Sequence, residues 1–209
     1  MNRQRTADLE IGCIAMNKTI QYYDNNAKEF CNETFLADMS QCWNRFLNYL
    51  PANAWILDAG CGSGRDSKAF IESGYQVEAF DASGEICKIA SANIGQEVMC
   101  MRFDELTYEM QFDGIWASAS LLHVSKQDLP VIMEKLYVAL KPQGILYASF
   151  KYGEGEMIRG ERSFTDFAEV SVKELLEDAG FVVLECFVTS DVREGRSDEK
   201  WVNVIGRKG

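Results

Sequence analysis

Short apolar segments alternate with amphipathic segments along most of the chain, from Trp55 onward. The apolar segments have the length of strands and the amphipathic ones the length of helices. The predicted strands are 55–57, 75–80, 97–101, 112–117, 145–150, 181–189 and 200–207. The predicted helices between them are 66–73, 83–93, 126–140 and 171–179. Because continuous apolar strands that alternate with helices are typical of a parallel sheet covered on both faces, we expect such a sheet here.

The last two predicted strands are joined differently from the others. The polar stretch Asp191 to Lys200 lies between them without helical periodicity, so we interpret it as an exposed turn between antiparallel strands. The predicted fold class is therefore α/β: a doubly wound, mostly parallel seven-stranded sheet with a terminal antiparallel hairpin, Rossmann-like in its organisation.

Two helices are predicted ahead of the sheet, over 18–30 and 32–49, with Pro51 ending the second. Residues 1–17 carry little periodicity, and we expect a flexible extension there, with Met16 as an alternative start of translation. Residues 18–209 then form a single domain.

Composition narrows the classes of protein that fit. The 209 residues suit one domain, and no apolar run approaches the roughly 20 residues of a membrane span. Seven cysteines without paired spacing and a single histidine argue for reduced thiols in the cytoplasm and against a metal site. A net charge of −11 argues against a partner that is held mainly through its phosphate groups. A nucleic-acid substrate stays open, because a local basic rim can lie on an acidic protein.

A glycine-rich loop, Asp58-Ala59-Gly60-Cys61-Gly62-Ser63-Gly64, follows the first strand and opens a helix. Its glycines permit a tight turn and close approach of a ligand to the backbone. The spacing is not that of a dinucleotide fingerprint, because Arg65 follows, and no Lys-Ser/Thr pair of a P-loop is present. The loop alone leaves a nicotinamide cofactor open.

Two acids follow the next two strands. Asp81 ends the second strand about twenty residues after the glycines, where a carboxylate is placed to accept both ribose hydroxyls. Phe103 and Asp104 follow the third strand, where an adenine would meet an aromatic face and an acceptor for its amino group.

With these motifs the chain resembles the class I methyltransferases that use S-adenosylmethionine (SAM). The resemblance covers about residues 20–208 and includes the segments 112–118, 122–124 and 140–144. It is nearest to small stand-alone enzymes, including those associated with tellurite resistance. The segment from Tyr22 to Ala27 resembles the part of such enzymes that folds over the cofactor, which implies that the helices of 18–50 cover the cofactor site.

The resemblance and the motifs together predict the residues that bind SAM. The glycines would pass under its methionine part, and Arg65 would pair with its carboxylate. The predicted cofactor-binding residues are Tyr22, Tyr23, Asp58, Gly60, Cys61, Gly62, Arg65, Asp81, Ala82, Phe103, Asp104, Ala117 and Ser118.

His123 follows the fourth strand, where the transferred methyl group should point, and it is the candidate catalytic base. The alternative is a structural histidine bonded to a neighbouring carbonyl group, which we favour. Trp116, among apolar strand residues, is expected in the core.

The segment 150–167 leaves the carboxyl end of the fifth strand and combines both charges with glycines and aromatics. We interpret it as a mobile lid that contacts the substrate. Its candidate substrate residues are Lys151, Tyr152, Arg159 and Arg162, and the two arginines suggest an anionic group.

The expected function is in-line methyl transfer to a small molecule. RNA or protein acceptors come second, because Ala117 to Ser120 replaces the Asn-Pro-Pro-Tyr type motif of base-amine methylation. A SAM-binding module without catalysis and an NAD-dependent oxidoreductase remain as alternatives. The oligomeric state is not predicted.

Overall fold

The computed structural model describes residues 2–193 and 195–209. The strands are β1 Trp55–Ala59, β2 Gln76–Asp81, β3 Met99–Cys100, β4 Phe112–Ala117, β5 Leu140–Lys151, β6 Gly155–Arg159, β7 Arg162–Asp166, β8 Phe181–Ser190 and β9 Lys200–Lys208. The helices are α1 Asn2–Thr34, α2 Ser40–Leu47, α3 Arg65–Glu72, α4 Gly84–Ile94, α5 Leu129–Ala139 and α6 Glu169–Asp178. One-turn 3-10 helices cover Phe103–Glu105 and Leu121–His123.

Seven of the strands form one sheet in the order β3-β2-β1-β4-β5-β9-β8. The strands from β3 to β5 are parallel, whereas β9 runs antiparallel to both of its neighbours. This arrangement confirms the predicted fold class. The chain leaves β1 toward β2 on one side and later returns to β4 on the other, so a crevice opens at the carboxyl ends of β1 and β4.

Both faces of the sheet are packed, as the continuous apolar strands predict. On one face, Trp116 and Tyr147 stack with ring centroids 3.8 Å apart, and Phe46 of α2 packs against them. Leu57 and Ile115 point into the opposite layer, which α5 and α6 complete. Trp116 is fully buried, which confirms its predicted place in the core.

The N-terminal helices differ from the prediction. Helix α1 continues through residue 31 to Thr34, so the predicted boundary between 30 and 32 is wrong. Its irregular point is Asn26, whose side chain donates to the carbonyl oxygen of Tyr22. Helix α2 spans eight residues instead of the predicted 32–49. The sequence has no glycine or proline near Cys31 that would end a helix there.

Helix α1 also begins at Asn2, and so includes most of the segment 1–17 predicted to be a flexible extension. The domain boundary at residue 18 stays a prediction. Within the described part of the chain, none of the helices combines the length and apolarity that crossing a membrane requires.

Two connections at the carboxyl edge of the sheet differ from their predictions. The segment 150–167, predicted as a mobile lid, contains the antiparallel hairpin of β6 and β7, and its mobility stays a prediction. Five residue pairs, from Gly155↔Asp166 to Arg159↔Arg162, set its register. The segment from Asp191 to Lys200, predicted as an exposed turn, turns Asp191 inward, where it is buried. Phe164, Thr165 and Asp166 are buried against the body of the protein, which holds β7 in place.

Candidate functional site

A cavity of about 660 Å³ lies at the carboxyl edge of the sheet. Its floor is formed by the loops after β1, β2 and β4, and its far wall by the ends of β5, β8 and β9. Helix α1 and the β6–β7 hairpin contribute residues from above, among them Tyr23, Phe30 and Arg162. This is the position in which an open α/β sheet places its ligands, and the volume is within the usual range for small-molecule sites, about 300–1,000 Å³.

The glycine loop is shaped for a ligand that lies close to the backbone. Gly60 has φ of 81° and Gly62 has φ of 54°, a region that other residues rarely adopt. A Cβ atom at Gly60 would stand 2.4 Å from the Cβ atom of Ser120. At Gly62 it would approach the ring of Phe30 to 3.3 Å. The missing side chain keeps the space between the loop and α1 open at Gly62, and at Gly60 it lets the turn after β4 pack closely.

Asp81 stands beside this loop at the end of β2. One carboxylate oxygen accepts from the backbone N–H of Gly62 and the other from that of Ser83, both at 3.0 Å. Burial raises the pKa of Asp81, while the two backbone donors oppose the shift. Since a carboxylate has about four lone-pair positions, the two that remain are sufficient for the two hydroxyls of a ribose.

Asp58, on β1, lies below the loop rather than in the cavity wall. Its carboxylate accepts from the Ser67 hydroxyl at 2.6 Å. Burial, together with the nearby Asp66, raises the pKa of Asp58. These contacts tie β1 to the start of α3, and they hold the loop between them.

Asp66 is a residue that sequence reasoning did not single out. Its carboxylate accepts from the indole N–H groups of Trp43 and Trp116 at 2.9 and 2.8 Å. Arg65 donates to both of its oxygens, at 2.7 and 2.9 Å. Although burial opposes ionisation, Arg65 and the two indoles hold the pKa of Asp66 below its usual value. The predicted cofactor ligand Arg65 lines the cavity, and its charge is already balanced there.

Helix α1 is anchored over the cavity at several points. Asp24 accepts from the Ser83 hydroxyl at 2.6 Å and so ties α1 to the start of α4. The Thr34 hydroxyl donates to that of Ser63 at 3.2 Å, next to the glycines. Near the hairpin, the backbone N–H of Ser163 donates to the Thr19 hydroxyl. The position of α1 agrees with the predicted role of residues 18–50 as a cover, which stays a prediction.

His123 and Tyr23 meet at the upper wall of the cavity. The Tyr23 hydroxyl lies 2.9 Å from Nε2 of His123, and Nδ1 of the same ring lies 2.7 Å from the Ser163 carbonyl oxygen. Since a carbonyl oxygen only accepts, Nδ1 carries the proton and Nε2 accepts from Tyr23. Burial lowers the pKa of His123 to about 4. The ring is therefore neutral at pH 7, with both nitrogens engaged.

The far wall of the cavity is polar and aromatic. Lys151, at the end of β5, forms ion pairs with Asp191 at 3.3 Å and with Glu199. Its Nζ atom also lies 4.1 Å from the centre of the Trp201 ring. Asp191 binds Arg193 as well, at 2.6 Å. The β8–β9 connection thus supplies part of this wall, which sequence reasoning missed because a polar stretch between strands resembles an ordinary turn.

Most of the predicted site residues converge on this cavity. Those that line it are Tyr23, Gly60, Cys61, Gly62, Arg65, Asp81, Ala82, Phe103, Ser118, His123, Lys151 and Arg162. Those that the structure places outside its wall are Tyr22, Asp58, Asp104, Ala117, Tyr152 and Arg159.

The residues outside the wall have other partners. Asp104 forms an exposed pair with Arg102 at 2.9 Å. Tyr152 donates to Glu169, and Arg159 pairs with the buried Asp166. Phe103 and Lys151, the sequence neighbours of Asp104 and Tyr152, do line the cavity. Packing in the folded protein decides which of two neighbouring side chains faces the cavity, and the spacing of residues in the sequence does not reveal it.

Three features of the structure, taken without the sequence motifs, show that the cavity can hold SAM. A Cβ atom at Gly62 would enter the space under Phe30, and Asp81 retains free acceptor positions beside it. Phe103 lines the cavity after β3, where an adenine would lie. Within the described residues, no group of three or more histidines, cysteines or acids is placed to hold a metal ion.

Comparison with known proteins agrees with this geometry. Residues 56–144 match a family model described as a methyltransferase domain. That segment extends from β1 to the start of β5 and contains the glycine loop, Asp81 and the loop after β4.

Two curated relatives show the range of similar proteins. A ubiquinone biosynthesis O-methyltransferase of Xanthomonas axonopodis is 31% identical over 106 residues, which are 47% of this chain and 44% of that protein. A SAM-dependent Diels-Alderase of a Neonectria species is 29% identical over 171 residues, or 73% of this chain and 67% of that protein. The chain thus spans less than half the length of the first of these relatives.

Among solved structures, a 1,6-didemethyltoxoflavin-N1-methyltransferase of Burkholderia thailandensis superposes with a TM-score of 0.77 at 22% identity. The superposition covers 95% of this chain and 89% of that one, which holds S-adenosylhomocysteine and its acceptor. A methyltransferase of Methanosarcina mazei gives a TM-score of 0.69 at 21% identity, over 77% and 95% of the two chains. Residues 56–144 therefore resemble a methyltransferase domain, and the chain has the same fold as these two solved methyltransferases.

Proposed function

We propose that the chain transfers the methyl group of SAM to a small-molecule acceptor by in-line substitution. The observation that carries this proposal is one continuous cavity with a cofactor cradle at the glycine loop and a polar, aromatic chamber near Lys151 and Trp201. A cavity covered by α1 and the hairpin suits a small molecule better than a polymer. The relative with an O-methyltransferase name and the structure with a bound small acceptor support the same substrate class.

The chain's own residues would supply binding, orientation and exclusion of water. SAM brings a methyl group that its sulfonium already activates, so positioning of the acceptor is the main task of the protein. Asp81 would hold the ribose, and the loop from Gly60 to Gly62 the amino-acid part. His123, neutral and bonded on both sides, fits a positioning role better than that of a base. The placement within a tellurite-resistance-like branch stays a prediction.

The names of two similar proteins support a second function, catalysis of a cyclisation with SAM bound. The Diels-Alderase relative and a [4+2]-cyclase with the same fold, at a TM-score of 0.65, carry names of cyclisation reactions. A site that binds SAM without transferring its methyl group is therefore the leading alternative. RNA or protein acceptors rank below it, although two N-terminal Xaa-Pro-Lys methyltransferases of Xenopus laevis are 24% identical to this chain.

Calorimetry with S-adenosylhomocysteine tests cofactor binding, and SAM labelled in its methyl group tests transfer. We expect binding and the appearance of label in the small-molecule fraction of a cell extract. Binding without any transfer would favour the cyclase-like alternative, label in RNA or protein would change the substrate class, and the absence of binding would refute the proposal.

A further inference from the structure

Arg162 differs from the other cations of the cavity wall in having no carboxylate partner. Arg65 lies 2.7 Å from Asp66, and the remaining cations that line the cavity also lie within 4 Å of an acid. Those pairs are Lys151 with Asp191, Arg193 with Asp191, and Arg196 with Glu199. Among residues 16–193 and 195–209, whose side chains the structure describes, no carboxylate lies within ion-pair distance of Arg162.

The hydrogen-bond donors of Arg162 are also incompletely used. Its Nη1 atom donates to the Tyr23 hydroxyl at 3.3 Å, whereas its buried Nε atom has no partner among the described residues. A buried donor without a partner costs free energy, and such groups in native proteins usually have a functional explanation. The edge of a guanidinium that carries Nε and Nη2 matches the two oxygens of a carboxylate.

Aromatic rings hold this guanidinium in place. The rings of Tyr22, Tyr23 and Phe164 have their centres 4.5, 5.7 and 5.3 Å from its Cζ atom. Because the rings replace water without supplying negative charge, the cation is left ready for an anionic ligand. The same rings provide apolar surface for the body of that ligand.

We infer that Arg162 binds a carboxylate of the acceptor, so that the acceptor is a small, apolar or aromatic carboxylic acid. This inference rests on the proposed function, and it names the substrate class of that site. Of the two arginines predicted to bind an anion, only Arg162 is assigned this role, because Arg159 is already paired with Asp166 outside the cavity wall.

The position of Arg162 favours the acceptor over the cofactor as the source of the carboxylate. Arg162 contacts Tyr23, whose hydroxyl is bonded to His123 in the turn after β4. That turn is where the transferred methyl group is expected to point, so a carboxylate of the acceptor would lie within reach of Arg162. The cation beside the glycine loop, where the amino-acid end of SAM is expected, is Arg65.

Benzoate and benzamide provide a matched pair of probes, because they share a shape and differ in charge. We expect protein saturated with S-adenosylhomocysteine to bind benzoate roughly tenfold or more tightly than benzamide in NMR titrations. Arg162→Gln should abolish this preference, and Arg162→Lys, which keeps the charge but not the fork, should retain part of it. Arg45→Gln, which removes an arginine of α2 outside the cavity wall, should leave it unchanged.

The opposite outcomes are distinct. Equal binding of the two probes to the wild-type protein, absence of benzoate binding, or a preference that survives Arg162→Gln would overturn the inference.

A comparison of S-adenosylhomocysteine with 5′-methylthioadenosine, which lacks the amino-acid part, tests whether the carboxylate comes from the cofactor. If Arg162→Gln removes the difference between these two ligands, Arg162 holds the cofactor and the inference is wrong. Failure of the wild-type protein to bind S-adenosylhomocysteine would instead refute the proposed function.

Discussion

His123 shows how its surroundings change the chemistry of a single side chain. From the sequence it is a candidate base after the fourth strand, and the structure places it in the cavity wall. Its two nitrogens are bonded to Tyr23 and to the Ser163 carbonyl oxygen, which fixes the neutral form of the ring. His123 thereby connects α1, the turn after β4 and the β6–β7 hairpin.

The depressed pKa of His123 predicts a specific dependence of stability on pH. The unfolded chain takes up a proton near pH 6.5 and the folded protein only near pH 4, so the free energy of unfolding should fall as the pH is lowered between these values. We expect a loss of about 2 kcal/mol, because solvent in the cavity reduces the effect of the full shift. Denaturant unfolding between pH 4 and 7 measures it.

His123→Gln is the matched variant for this measurement, because an amide also accepts from Tyr23 and donates to the Ser163 carbonyl group without titrating. Its unfolding free energy should depend less on pH over the same interval. Identical pH profiles for the wild type and the variant would show that His123 is not the group responsible.

Asp81 is the residue on which cofactor affinity is expected to depend most. Asp81→Asn removes the charge and leaves one oxygen to serve the Gly62 and Ser83 donors, so we expect S-adenosylhomocysteine to bind roughly 10–100-fold more weakly. Calorimetry gives the dissociation constants. Asp113→Asn is the control, because Asp113 also accepts from a backbone N–H, that of Trp55, and lies outside the cavity wall. Equal losses in both variants would mean that the effect is one of general stability.

At the scale of elements, the turn between β1 and α3 is held by close packing against the turn after β4. Gly60 lies under Ser120, whose hydroxyl donates to the Ala59 carbonyl oxygen at 2.6 Å. The loop therefore takes its shape from two neighbouring strands as well as from its own sequence.

This contact predicts different costs for two glycine substitutions with similar backbone angles. Gly60→Ala would place a Cβ atom 2.4 Å from that of Ser120, whereas Gly74→Ala, at φ of 88°, would meet no atom within 4 Å. Gly74→Ala should cost about 1 kcal/mol for its left-handed backbone alone, and Gly60→Ala roughly 1–3 kcal/mol more. Chemical denaturation measures both, and equal costs would contradict the proposed contact.

The elements also differ in how well their sequences predict them. The strands and helices from β1 to α5 follow from the sequence pattern, since the strands are continuous apolar runs and the helices between them are amphipathic. The β6–β7 hairpin does not, because its order comes from burial of Phe164 and Asp166 against the rest of the protein. The same holds for α1, which continues through Cys31 while it packs over α4.

At the scale of the whole molecule, ligand binding should stabilise the fold, because the cavity is formed by elements from both ends of the chain. Saturation with S-adenosylhomocysteine at about 100 times its dissociation constant adds about 2.7 kcal/mol. For a chain of this size, we expect Tm to rise by roughly 5–10 °C. Differential scanning calorimetry measures the shift.

NAD at the same concentration is the control, because it tests the nicotinamide alternative that the glycine loop alone leaves open. We expect no shift with NAD. A shift with NAD and none with S-adenosylhomocysteine would reverse the assignment of the cofactor.

The sequence by itself determined the fold class, the position of the glycine loop and the acid after the second strand. These features are local: a repeat of apolar residues selects strand or helix, and glycine spacing permits a specific turn. Tertiary structure decided which side chains face the cavity. It turned Arg162 inward and Arg159 toward Asp166, and it brought Asp191 from a polar connection into the wall. Such choices depend on contacts between residues far apart in the chain, which periodicity does not record.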